Sequence, residues 1–196
     1  MTSAMLKETI ENLLRAPAEI KNKLLRDLGA VEKYGVGKAL DENPDFLGRL
    51  LTQLRRADGA RVFNDISGAA DQFVRVLWEG VSSRVEKAPA LKILLEKAER
   101  DIHVNIEASD SPFRCYFIVE RGKIRGGSGL LHFKDEDFRF MGPTETLMGL
   151  LIGDLPLGFS NLALQTAGHS GWTSRVNPIM REVTKILKGG KATEKV

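Results

Sequence analysis

The order of apolar and polar positions divides the chain into a helical first half and a mostly extended second half. Leu6, Ile10, Leu13 and Leu14 recur at helical spacing, with Lys7, Glu8 and Glu11 between them. Pro17 interrupts this stripe; Ile20, Leu24, Leu25 and Leu28 resume it, and Gly29 predicts a stop. Two glycines within 34–38 predict a turn. Asn43 and Pro44 then suit the cap and first position of a helix whose stripe is Phe46, Leu47, Leu50, Leu51 and Leu54, ending near Asp58-Gly59. A helical hairpin is expected over 66–100. Phe73, Val74, Leu77, Trp78 and Val81 form the apolar side of its first helix. Pro89 opens the second, with Leu91, Leu94, Leu95 and Ala98.

The period then changes from that of a helix to that of a strand. Residues 102–107 alternate strictly, Ile102, Val104 and Ile106 against His103, Asn105 and Glu107. After a Ser-Asp-Ser-Pro turn, 113–120 places Phe113, Cys115, Phe117 and Val119 on one face. Arg121-Gly122 predicts a tight turn, a third strand lies within 123–134, and a fourth covers 137–141. At 143–152 the chain predicts a short helix with proline at its start, Glu145 in its first turn and Gly153 as its stop. Leu147, Met148, Leu150, Leu151 and Ile152 cover most of its circumference, so it must be buried on several sides or line a cavity. Residues 161–168 form a fifth strand candidate. In the last helix Asn177 is the expected cap, Pro178 falls in the first turn, and Ile179, Met180, Val183, Ile186 and Leu187 make the apolar face.

A run of helices followed by a run of strands predicts an α+β fold, with a five-stranded, mostly antiparallel sheet covered by helices. We divide the chain into a helical extension (1–60), a main domain (61–190) and a disordered tail (191–196).

Composition narrows the function classes. The net charge is +3, with acids and bases interleaved, which does not call for a nucleic-acid partner and suits at most transient contact with an anionic membrane surface. One cysteine excludes an intramolecular disulfide, and no apolar run reaches membrane-spanning length, so a cytoplasmic location is expected. Gly126-Gly127-Ser128-Gly129 runs into apolar residues that read as strand rather than helix, unlike a phosphate loop. His103, His132 and His169 lack metal-ligand spacing. Ser170 beside His169 has no nucleophile elbow, and Cys115 stands on an apolar face. No cofactor, metal or catalytic residue is therefore assigned; an enzyme using Cys115, Ser170 or a histidine stays an alternative.

The order of elements over 61–188 resembles the sterol-carrier-protein-2 domain. The residues that carry the resemblance are the alternating strand 102–107, the strand 113–119 with Arg121-Gly122-Lys123-Ile124, and above all 137–154 with its strand, proline-acid start, leucine-rich helix and glycine. The resemblance implies a non-catalytic carrier that holds a fatty acid, acyl-CoA, sterol or isoprenoid-like lipid in a hydrophobic tunnel. On that reading the lipid-contacting residues are Phe113, Phe117, Val119, Phe138, Phe140, Leu147, Leu150, Leu151, Leu155, Leu162, Leu164, Val176 and Met180. Arg114 or the basic turn Arg121, Lys123 and Arg125 would meet the head group. The chain departs from the pattern after the leucine-rich helix, where 158–164 has no lysine, and in its first sixty residues, which could plug the pocket, form a homo-oligomer or dock a partner enzyme. The competing reading is a protein-interaction or scaffold module with a collapsed pocket, assembling through those helices.

Overall fold

The computed structural model describes residues 2–14, 17–154, 164–168 and 171–190. In chain order the elements are α1 (Ser3–Leu14), α2 (Pro17–Tyr34), α3 (Val36–Glu42), α4 (Phe46–Arg56), α5 (Gly59–Asp65), α6 (Ala69–Arg84), a 3-10 turn (Val85–Lys87) and α7 (Pro89–Glu96). There follow β1 (Ile102–Ala108), β2 (Arg114–Glu120), β3 (Lys123–Ser128), β4 (Phe138–Gly142), α8 (Thr144–Leu151), β5 (Gln165–Gly168) and α9 (Gly171–Leu187). The architecture is α+β, as the period change predicts.

The five strands lie in the order β3-β2-β1-β4-β5. Three of the pairings are antiparallel, but β4 runs parallel to β1, with Val104 opposite Phe138 and Ile106 opposite Phe140. The chain therefore crosses the outer face of the sheet between β3 and β4 instead of turning back as a fourth meander strand. Asn105, fully buried on that face, pins the crossing: its amide donates to the Leu131 carbonyl (3.1 Å), and its side-chain oxygen accepts from the Leu131 N–H (2.8 Å).

Several helix boundaries differ from the periodicity. Gly29 does not stop α2; it lets α2 approach α6, since a Cβ there would lie 3.1 Å from Gln72 Nε2. The expected turn at 34–38 shrinks to Gly35, whose φ of 99° ends α2 and admits α3. Asn43 closes α3 rather than capping α4, which starts at Phe46. Asp58, left-handed at φ 59°, accepts from the Arg61 N–H and opens α5 where the pattern predicts an end. α9 begins at Gly171, so Pro178 stands inside it and Asn177 is not its cap. Pro178 removes the hydrogen bond to the Ser174 carbonyl. Both residues border an open cleft, where water can take up that carbonyl.

The core is one contiguous cluster. α1 packs on α2 and α4, α2 and α3 pack on α6, and α6 lies over β2 and β3. The first sixty residues thus share buried side chains with the sheet-covering helices: Leu6, Leu24, Leu28, Leu50 and Leu54 belong to the same cluster as Phe73 and Phe117. No described helix is long and apolar enough to cross a membrane. The expected tail 191–196 lies outside the described residues.

Candidate functional site

Strand alternation puts Val104 and Ile106 of β1, Cys115, Phe117 and Val119 of β2, and Phe138 and Phe140 of β4 on the helix-facing side of the sheet, all buried. Because β1 lies between β2 and β4, the residues expected to contact lipid fall into two groups under different helices.

The first group is packed solid. Phe113 stacks on Phe63 of α5 at 5.7 Å with an interplanar angle of 8°, and Phe73 of α6 closes on both rings. Phe117 meets Trp78 of α6 at 5.2 Å, and Val119 pairs with Ile124 of β3. Aromatic pairs at such separations favour a fixed core over an adaptable cavity. The glycine run finds its reason here. A Cβ at Gly126 would lie 2.4 Å from the Trp78 ring, and one at Gly127 would lie 2.7 Å from the Tyr116 hydroxyl, so the strand must be bare where both aromatics cross it.

The second group lies toward the other end of the sheet. Phe138 and Phe140 meet edge to face at 4.8 Å. Leu147, Leu150 and Leu151 of α8, Leu164, and Val176 and Met180 of α9 are all buried. α8 is enclosed by α4, α5, α9, β1 and β4, which accounts for its apolar circumference. Its N-terminus is capped from a distance: Thr144 donates both its N–H (2.9 Å) and its hydroxyl (2.6 Å) to Asp110 in the β1–β2 turn. At its C-terminus Gly153, φ 69°, donates to the Leu150 carbonyl and Asp154 to that of Gly149, the paired bonds of a Schellman motif. Thr184 of α9 donates to the Leu151 carbonyl at 3.0 Å, fastening α9 to α8. Leu155 and Leu162 lie outside the described residues, as do His169 and Ser170.

Among the described residues, β5 is exposed along its whole length. Thr166 pairs with Phe140 and Gly168 with Phe138, so these β5 residues share the apolar face, yet both are exposed. This exposed edge has no counterpart in sequence periodicity, because it depends on which strand the described helices pack against.

Charged side chains keep to the outer face. Glu107 pairs with Arg114 (3.3 Å) and Arg139 (3.2 Å), and Arg139 with Glu136 (2.8 Å). Arg114 therefore does not meet a ligand on the apolar side. The turn with Arg121, Lys123 and Arg125 joins β2 to β3, at the opposite edge of the sheet from β5. Burial pushes the Cys115 thiol up to about 12, against a smaller opposing effect of the Trp78 indole, so it is no nucleophile at neutral pH. His103 shares a 3.3 Å contact with Asp137 on the outer side. Among the described residues no group of three or more His, Cys, Asp or Glu could hold a metal ion.

No protein-family model and no curated protein sequence matches this chain. A solved structure described as sterol carrier protein 2 from Yarrowia lipolytica, apo form, is similar to it over 61% of this chain and 95% of that one, at 13% identity and a TM-score of 0.43.

Proposed function

We propose that this chain binds a single acyl chain or comparable lipid at the β4–β5 end of the sheet and works as a carrier without catalysis. The observation that supports this reading is the uncovered apolar edge. Phe138 and Phe140 are buried in a strand packed against α8, and their register partners Gly168 and Thr166 are exposed on the same face. A chain inserted there would lie along Phe138, Phe140, Leu150, Leu164, Val176 and Met180. Each methylene taken from water contributes roughly 0.8 kcal/mol before ordering costs. The first group, Phe113, Phe117 and Val119, would serve as the rigid wall behind the site.

Native mass spectrometry of freshly purified protein, followed by organic extraction, tests the reading. A lipid released at near-stoichiometric amount is expected. A bare mass that stays unshifted with fatty acids, acyl-CoA, sterols and quinones would overturn it. The second reading, a scaffold with a collapsed pocket, draws on the enclosure of α8 by α4 and α5 and on the continuity of the core into α1 and α2. It predicts a bare mass together with a stable oligomer or a tight complex.

A further inference from the structure

A second candidate lies away from the lipid site. The chain ends of three helices surround a cleft of about 280 Å³, bounded by Pro44, the 84–90 junction of α6 and α7, and the last turn of α9. Its charged lining is Arg84, Lys87 and Lys185 against a single carboxylate, Glu182. Glu182 is taken up by Lys185 at 2.6 Å, and Asp41 accepts from Arg84 Nη1 at 2.9 Å and also pairs with Lys87.

Asp41 does not satisfy the guanidinium. Arg84 has only 16% of its side chain exposed, and its Nη2 is buried with no acceptor among the described residues. Asn43 Nδ2, on the residue next to Pro44, is a second buried donor in the same condition. A guanidinium stays charged at any ordinary pH, so its missing acceptor is not relieved by loss of a proton. Asn43 does not itself line the cleft, but Arg84 does, and its unmatched group is a donor, which favours an acceptor-rich ligand. The backbone leans the same way. The start of α7 (Ala88 as its N-cap, then Pro89 and Ala90) lines the cleft with the positive end of the helix dipole. On the opposite wall the α9 carbonyls of Lys185 and Ile186 are already capped by the N–H groups of Gly190 (2.8 Å) and Gly189 (3.0 Å).

We propose that this cleft binds a phosphate group, with Arg84, Lys87 and Lys185 as its cationic contacts. A tetrahedral phosphate spreads three or four acceptor oxygens in different directions, whereas a carboxylate offers two in one plane, so it can meet donors on several walls of the cleft at once. The volume is at the small end for organic ligands, fitting a phosphate with a short substituent or a head group held at the rim. The inference does not depend on the lipid reading.

The test is a residue-resolved NMR titration with inorganic phosphate, ionic strength held constant with chloride. In parallel, co-sedimentation is run with phosphatidylcholine vesicles with and without phosphatidic acid. Saturable shifts confined to the amides of 84–90 and 185–190 are expected. Arg84→Met and Lys185→Met should each weaken binding about tenfold, the loss of one charge-assisted hydrogen bond. Lys92→Met, whose partner is Glu86 outside the cleft, should leave it unchanged. Binding of free phosphate identifies a soluble phosphate compound as the ligand class. Binding only to the phosphatidic acid vesicles, lost in Lys185→Met, identifies a lipid head group. Absence of both, or equal affinity in the native and Met variants, overturns the proposal. If Arg84→Met fails to fold, Lys87→Met and Lys185→Met decide.

Discussion

Gly126→Ala is the sharpest test of the packed half of the sheet. The substitution adds one methyl group, and its Cβ would sit 2.4 Å from Cγ and Cδ2 of Trp78 and 2.7 Å from the Tyr116 carbonyl oxygen. Gly126 does not have positive φ, so the backbone itself accepts alanine and the whole cost is contact. Neither obstacle can retreat easily. The carbonyl belongs to the β2–β3 ladder, and the indole, 1% exposed, already touches Phe117. Overpacking a well-filled site costs about 1–3 kcal/mol, and two rigid neighbours put this case near about 3 kcal/mol. For a chain of 196 residues that corresponds to a fall in Tm of about 6–12 °C. Urea unfolding followed by circular dichroism should show a lower midpoint with an unchanged slope. The cycle with Trp78→Leu isolates the contact. The smaller, flexible side chain should make the second substitution much cheaper, with a coupling of at least about 1 kcal/mol. A loss under about 0.5 kcal/mol, or strict additivity with Trp78→Leu, would refute the packing argument.

Three further outcomes follow from the same geometry. Asp110→Ala should cost about 2 kcal/mol in urea unfolding, since two Thr144 donors at the start of α8 lose their acceptor, and Asp110→Asn should recover part of it. Cys115 should resist thiol reagents until the protein unfolds. With the folded thiol at about 12, the unfolded chain releases its proton first, so stability should fall by up to about 1.4 kcal/mol per pH unit above ~8.5, a contribution that Cys115→Ala removes. Phe117→Ala should destabilise by about 3–5 kcal/mol through the cavity left beside Trp78, whereas Phe140→Ala should also weaken displacement of cis-parinaric acid, measured by fluorescence.

The sequence spoke most clearly where a local period settles the outcome. The alternation of 102–107 and 113–120 places each side chain on its correct face, and the apolar circumference of 143–152 requires the enclosure that α4, α5, α9 and the sheet supply. It was silent where a glycine or proline answers to a distant partner. Gly29 reads as a helix stop but serves a close approach to Gln72, and Gly126 and Gly127 read only as a run leading into a strand but make room for Trp78 and Tyr116. Pro178 reads as a helix start but sits within α9 beside an open cleft. In each case local preference is outweighed by contacts far along the chain. The parallel pairing of β4 with β1 escapes notice for a related reason: the signal for it is Asn105 in a strand, recognisable as a buried clamp only once Leu131 lies across it.

The same distinction governs the candidate site. Periodicity can say that Phe117 and Phe140 face inward, but not what they face. Phe117 meets a helix that brings its own large aromatic, and the space is filled. Phe140 lies in a strand packed against α8, and its neighbour across the strand pair is an exposed threonine. Two phenylalanines indistinguishable in sequence therefore differ in what their removal should do. One supports the fold through its contact with the Trp78 ring; the other lies one strand from solvent, where a ligand can replace water at the edge. A carrier site on this scaffold must then be asymmetric, rigid toward β2 and β3 and open toward β5. A ligand held there would be exchanged across the β4–β5 edge, not through the basic turn between β2 and β3 at the far side of the sheet.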